Sequence, residues 1–214
     1  MARPEDYEAA FRRIECLLAS ECGVSAGMAS LLDLCAERVP DEVWSAVGEI
    51  SFETDAANLQ RWLERVLALE PPPDRIEAFW FGLFDAEIGD GRETCVLYLS
   101  GAARFDPGGD SADWACQTPD SYLPEERYAE SAVLDRIHQA VQGSKVASFA
   151  EWVLCLGYAS LVVQRMCQTI DPGLLLRRRA SRAVAVGWDD GDWIVLGVMD
   201  QSGWMTSITM EEGL

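Results

Sequence analysis

Three consecutive prolines, Pro71-Pro72-Pro73, separate two stretches of this chain whose apolar residues repeat with different periods. Proline fixes φ and removes an amide donor, so the triplet fits neither a helix interior nor a central strand and reads as a stiff loop. Before it the apolar positions recur at helical spacing. Residues 4–20 form an amphipathic pattern, with Pro4 at a first-turn position, Glu5 and Asp6 at the positive end, and Tyr7, Phe11, Ile14, Leu17 and Leu18 on one stripe. Ser25 is placed to cap a second helix through Arg38, and a short helical turn is expected over Asp41 to Val47. Thr54 or Asp55 then caps a helix whose apolar face is Leu59, Trp62, Leu63, Val66 and Leu67.

After the prolines the period shortens to two. Ile76 to Ile88 and Thr94 to Ala103 are rich in aromatic and β-branched residues, and Gly89-Asp90-Gly91 between them has hairpin chemistry. Trp114 to Cys116 reads as a short third strand within an otherwise irregular segment. Ser131 to Gln142 and Ser148 to Gln168 read as helices. The second carries the apolar run WVLCLGYASLVV (152–163), too short to cross a bilayer, and is expected to be a central core helix. A final hairpin is expected from Ala183 to Trp188 and Trp193 to Met199 around Asp189-Asp190-Gly191-Asp192. This order predicts an α+β fold: N-terminal helices followed by a mostly antiparallel sheet with covering helices. Residues 1–70 read as a helical segment packed on the rest and 74–214 as the α+β core, an arrangement compatible with one domain.

Charge restricts the partners. The sequence holds 36 acidic and 17 basic side chains, a net charge of −19. Residues 1–130 carry 27 Asp/Glu against 10 Arg, so the field is concentrated there. Phosphate backbones and anionic lipid surfaces are repelled by such a field, and a basic protein is attracted. The first residues, MARPEDYE, turn acidic at once and show no secretory pattern, so a cytoplasmic protein is expected. The seven cysteines are odd in number and contain no Cys-x-x-Cys pair; they read as free, buried thiols rather than metal ligands. No cofactor and no metal are expected.

No nucleophile motif or phosphate-binding loop is present, and the single histidine, His138, falls at the core edge of a helix. No catalytic residue is assigned. Paired carboxylates are the remaining route to catalysis, with Asp85, Glu87, Asp106, Asp110, Asp113, Asp189, Asp190 and Asp192 as candidates beside aromatic residues. The basic cluster RRRASR (177–182) is expected to pair with the acidic face or with a partner's carboxylates.

The segment from Phe105 to Glu130 interleaves acids with aromatics. Its candidate partner-binding residues are Asp106, Asp110, Asp113, Trp114, Asp120, Tyr122, Glu125, Glu126 and Tyr128. Aromatics supply anchor area and carboxylates supply rate and specificity, which is the composition of a face for a basic partner. The sequence therefore points to an acidic interaction module, in concrete form a bacterial immunity or inhibitor protein bound to a basic toxin. The alternative is an enzyme that uses carboxylates on a small molecule in a pocket lined by Trp80, Trp114 or Trp193. Self-association is a third arrangement, opposed by the charge.

Overall fold

The computed structural model describes residues 2–89, 91–108, 112–189 and 191–208. Four helices come first: α1 (Pro4–Ala19), α2 (Val24–Arg38), α3 (Val43–Gly48) and α4 (Phe52–Leu69). The hairpin β1 (Ala78–Ile88) and β2 (Arg92–Ala102) follows, then a 3-10 turn (Asp113–Ala115) and β3 (Tyr128–Ala129). Helices α5 (Ala132–Val141), α6 (Ala147–Thr169) and α7 (Pro172–Leu176) lead to β4 (Ser181–Trp188), β5 (Trp193–Asp200) and β6 (Gly203–Thr206).

The fold is α+β, with a six-stranded sheet in the order β3-β2-β1-β4-β5-β6. Every pairing is antiparallel except the central one, β1 with β4, which aligns Trp80 with Ala185 and Gly82 with Gly187. The sheet is thus two hairpins laid side by side. Alternation along the strands sends Phe79, Phe81, Leu83, Leu97, Val184 and Leu196 to one face, where they join the helical core.

Helix α6 is the centre of that core. It is apolar on nearly every side and is packed by α1, α2, α4 and α5 as well as by the sheet. Its length and composition would let it cross a membrane, yet 78% of its apolar window is buried within the protein. Two buried polar devices fix the helices around it. The Asp55 carboxylate accepts from Tyr158 Oη at 2.7 Å, from Ser131 Oγ at 2.6 Å and from the Ala132 amide at 2.9 Å, so α4 caps the start of α5 and holds α6. Arg182 on β4 is 1% exposed and donates to the carbonyls of Pro73 at 2.7 Å, Ile76 at 3.0 Å and Leu175. The guanidinium therefore ties the proline loop to β4 and α7.

Several expectations from the sequence are corrected. Trp114 to Cys116 is not a strand, because the segment tightens into a 3-10 turn at Asp113–Ala115; the third strand is Tyr128–Ala129. Asp55 lies inside α4, which starts at Phe52, and caps α5 rather than its own helix. Helix α2 starts at Val24 with Gly23 before it, and Ser25 Oγ donates to Glu53 instead. Not all cysteines are buried: Cys16 and Cys116 are exposed, while Cys35, Cys95, Cys155 and Cys167 are buried thiols. Arg182 belongs to the core and pairs with carbonyls, not with carboxylates.

Candidate functional site

The acidic and aromatic segment divides between two places. Its first part crosses the sheet face away from the helices. There Trp80, Tyr98 and Ala185 form a second apolar cluster with Phe84, Trp114 and Trp193. Glycines create the space: a Cβ at Gly82 would lie 2.2 Å from the Tyr98 ring, and one at Gly187 would lie 2.7 Å from the Trp80 ring. Trp114 is half-buried and packs edge-to-face on Trp80 and Trp193, both at 5.7 Å, and on Phe105 at 4.9 Å. Below it Trp80 Nε1 donates to Tyr98 Oη at 3.2 Å, and Tyr98 Oη donates to Asp189 at 2.7 Å. Burial raises the Tyr98 phenol well above its ordinary range, and the Asp189 carboxylate adds to the effect. Asp106 and Asp113 stay exposed on this loop, with Asp106 Oδ1 accepting from the Gly108 amide at 3.2 Å. Asp110 lies outside the described residues.

The second part runs along the β2 edge of the sheet. Tyr122 is only 6% exposed, packs on Phe79 and donates to the Glu70 carbonyl. Asp120 presents an exposed carboxylate while its carbonyl accepts from Arg75. Glu125, Glu126 and Tyr128 line one groove of about 640 Å³ between α4 and β3, together with Trp62, Arg65 and Glu130. Glu126 pairs with Arg65 at 3.0 Å, and its carbonyl accepts from Trp62 Nε1. Tyr128 is 49% exposed, resting on Tyr98 and Phe84 with the Arg127 guanidinium 4.7 Å over its ring. Leu123, on the same segment, is also exposed.

A third cluster was not assembled by the sequence. Asp85 near the end of β1, His138 in the last turn of α5 and Glu151 in α6 bring their ligand atoms within 4.8 Å of one another. His138 Nδ1 bonds Glu151 Oε1 and lies 3.9 Å from Asp85 Oδ1, while Gln142 Nε2 is 2.7 Å from His138 Nε2. The histidine is buried, Glu151 is mostly buried and Asp85 is half-exposed. Desolvation raises the Glu151 carboxyl above its ordinary 4.5, and the Asp85 carboxylate raises it further, against the pull of His138. Behind it the free thiols of Cys155 and Cys95 share a hydrogen bond, and burial pushes the Cys155 thiol well up. One signal was available: between Ala147 and Gln164 the only charged residue is Glu151. A lone charge in a core helix calls for a partner.

Asp192 accepts from Trp152 Nε1 at 3.1 Å, and Asp190 lies outside the described residues. Comparison of the chain with protein-family models, with curated proteins and with solved structures finds no match in any of the three.

Proposed function

We propose that this protein is an acidic interaction module that binds a basic protein, and that its concrete form is an immunity protein neutralising a cationic toxin in the cytoplasm. The observation that carries the reading is Tyr128, a half-exposed aromatic standing beside Glu125, Glu126 and Glu130 at the groove between α4 and β3. An exposed aromatic on a rigid sheet edge loses little conformational freedom on binding, and the surrounding carboxylates steer a basic partner toward it. The net charge of −19 extends that steering over the N-terminal part of the chain. Asp106, Asp113 and Asp120 contribute to the field, whereas Trp114 and Tyr122 support the surface from beneath.

The test is affinity capture from the source cell at low and high salt, followed by association kinetics of the basic protein retained. Substituting Asp113, Glu125 and Glu126 together by Lys is expected to slow association at low salt by roughly tenfold or more. Tyr128→Ala is expected to speed dissociation by about tenfold. An unchanged association rate for the triple variant would remove this face from the reading.

A second reading, catalysis on a small molecule by carboxylates, draws support from the raised carboxyl of Glu151 beside His138. Such chemistry would belong to the half-exposed Asp85 side of that cluster. The Trp80, Trp114 and Trp193 cluster lies on the opposite face of the sheet, and its rings close on one another.

A further inference from the structure

We propose that Asp85, His138 and Glu151 form a binding site for a divalent transition-metal ion of the zinc class, independent of the acidic groove at Tyr128. The three donors come from three elements, β1, α5 and α6, that the core holds in fixed relation. Around one ion at about 2.0–2.2 Å from each donor, ligand atoms sit roughly 3–4 Å apart. The donors here lie within 4.8 Å of one another, so small side-chain rotations suffice.

The donor types select the ion. One imidazole nitrogen with two carboxylates suits zinc and its neighbours, whereas calcium and magnesium favour all-oxygen shells of six or more ligands. Three protein ligands leave a fourth position for water, and half-exposed Asp85 lies on the open side of the cluster.

The outer ligand shell is also in place. With a proton on Nδ1, His138 donates to Glu151, and its Nε2 accepts from the Gln142 amide at 2.7 Å. A metal on Nδ1 requires the other neutral tautomer, in which the single ring proton sits on Nε2. Rotation of the Gln142 amide then offers Oε1 as its acceptor, and such a partner orients a ligating histidine. Gln142 is accordingly a positioning residue.

The experiment is titration of the purified chain with Co²⁺ followed by its visible absorption, with Zn²⁺ competition to read affinity. The expected result is one ion per chain, a spectrum of nitrogen and oxygen donors without a thiolate charge-transfer band, and a melting temperature that rises on loading. Asp85→Asn and Glu151→Gln keep the shape of each side chain and are each expected to weaken binding by tenfold or more. Circular dichroism of both variants without metal is expected to match the parent. A variant that failed this check would be replaced by His138→Gln, whose binding is expected to fall equally. Absence of saturable binding up to about 1 mM Co²⁺ would overturn the proposal. So would a thiolate band with affinity unchanged in all folded variants, which would place the ion on exposed Cys16 or Cys116 instead.

Discussion

Tyr158, in the middle of the central helix, donates its phenolic hydrogen to the carboxylate of Asp55 on α4, at a distance of 2.7 Å. That carboxylate also receives Ser131 Oγ and the Ala132 amide, so one side chain joins three helices. Asp55→Ala removes the acceptor from all three donors and is expected to cost about 2–4 kcal/mol in urea unfolding. Tyr158→Phe leaves Asp55 with two donors and is expected to cost about 1–2 kcal/mol. Equal losses for the two variants would contradict this division of roles.

Arg182 supports three carbonyls that no other described side chain satisfies in its place. Arg182→Ala is expected to destabilise the fold by about 3–5 kcal/mol, from the lost donors to Ile76 and Leu175 and a cavity together, while the Pro73 carbonyl keeps the Ile76 amide. Burial lowers its pKa to about 10, so it is still cationic at neutral pH. Arg182→Lys keeps the charge but lacks the planar fork, and its midpoint should fall between those of the parent and the alanine variant.

Stability should depend on pH through Asp6. Its carboxyl is held below the ordinary 3.8 chiefly by the Arg3 amide, with Arg38 also lowering it and burial opposing. A depressed carboxyl stabilises the fold above its unfolded pKa, and the contribution disappears as pH falls through the folded value. Asp6→Asn should therefore melt below the parent at about pH 7, and the gap should close at about pH 2.

The contact between α2 and α6 depends on the absence of a side chain at Gly157. A Cβ there would lie 2.4 Å from Leu31 Cδ1. Gly157→Val should cost about 2–3 kcal/mol by overpacking, and Leu31→Ala alone about 2–5 kcal/mol by cavity formation. Combined, the two should cost at least about 1 kcal/mol less than their sum, because each relieves the other's fault. Strict additivity in thermal or urea unfolding would refute the contact.

The sequence was readable where structure is local. The stripe of Ile14, Leu17 and Leu18 marks α1, and the alternation around Asp189 to Asp192 marks the β4–β5 hairpin. The parallel pairing of β1 with β4 was hidden, because no turn joins the two strands and β2, β3 and three helices come between them. The two-residue β3, the four-residue β6 and the five-residue α7 are too short to show a period. The burial of Tyr122 against Phe79 was not legible, because its neighbours in sequence are acidic. Among candidate site residues, Glu125, Glu126 and Tyr128 gather at one groove. The union of Asp85, His138 and Glu151 was invisible because β1, α5 and α6 each contribute one member.

The parallel register between β1 and β4 also orders events during synthesis. Each hairpin can zip from its own turn, but β1 ends at Ile88 and β4 begins only at Ser181. A ribosome must deliver the whole connection between them before the middle of the sheet can close, and until then the β1 edge has no neighbour on that side. Closure across so long a crossover is slow compared with hairpin formation, so assembly of this seam should set the folding rate.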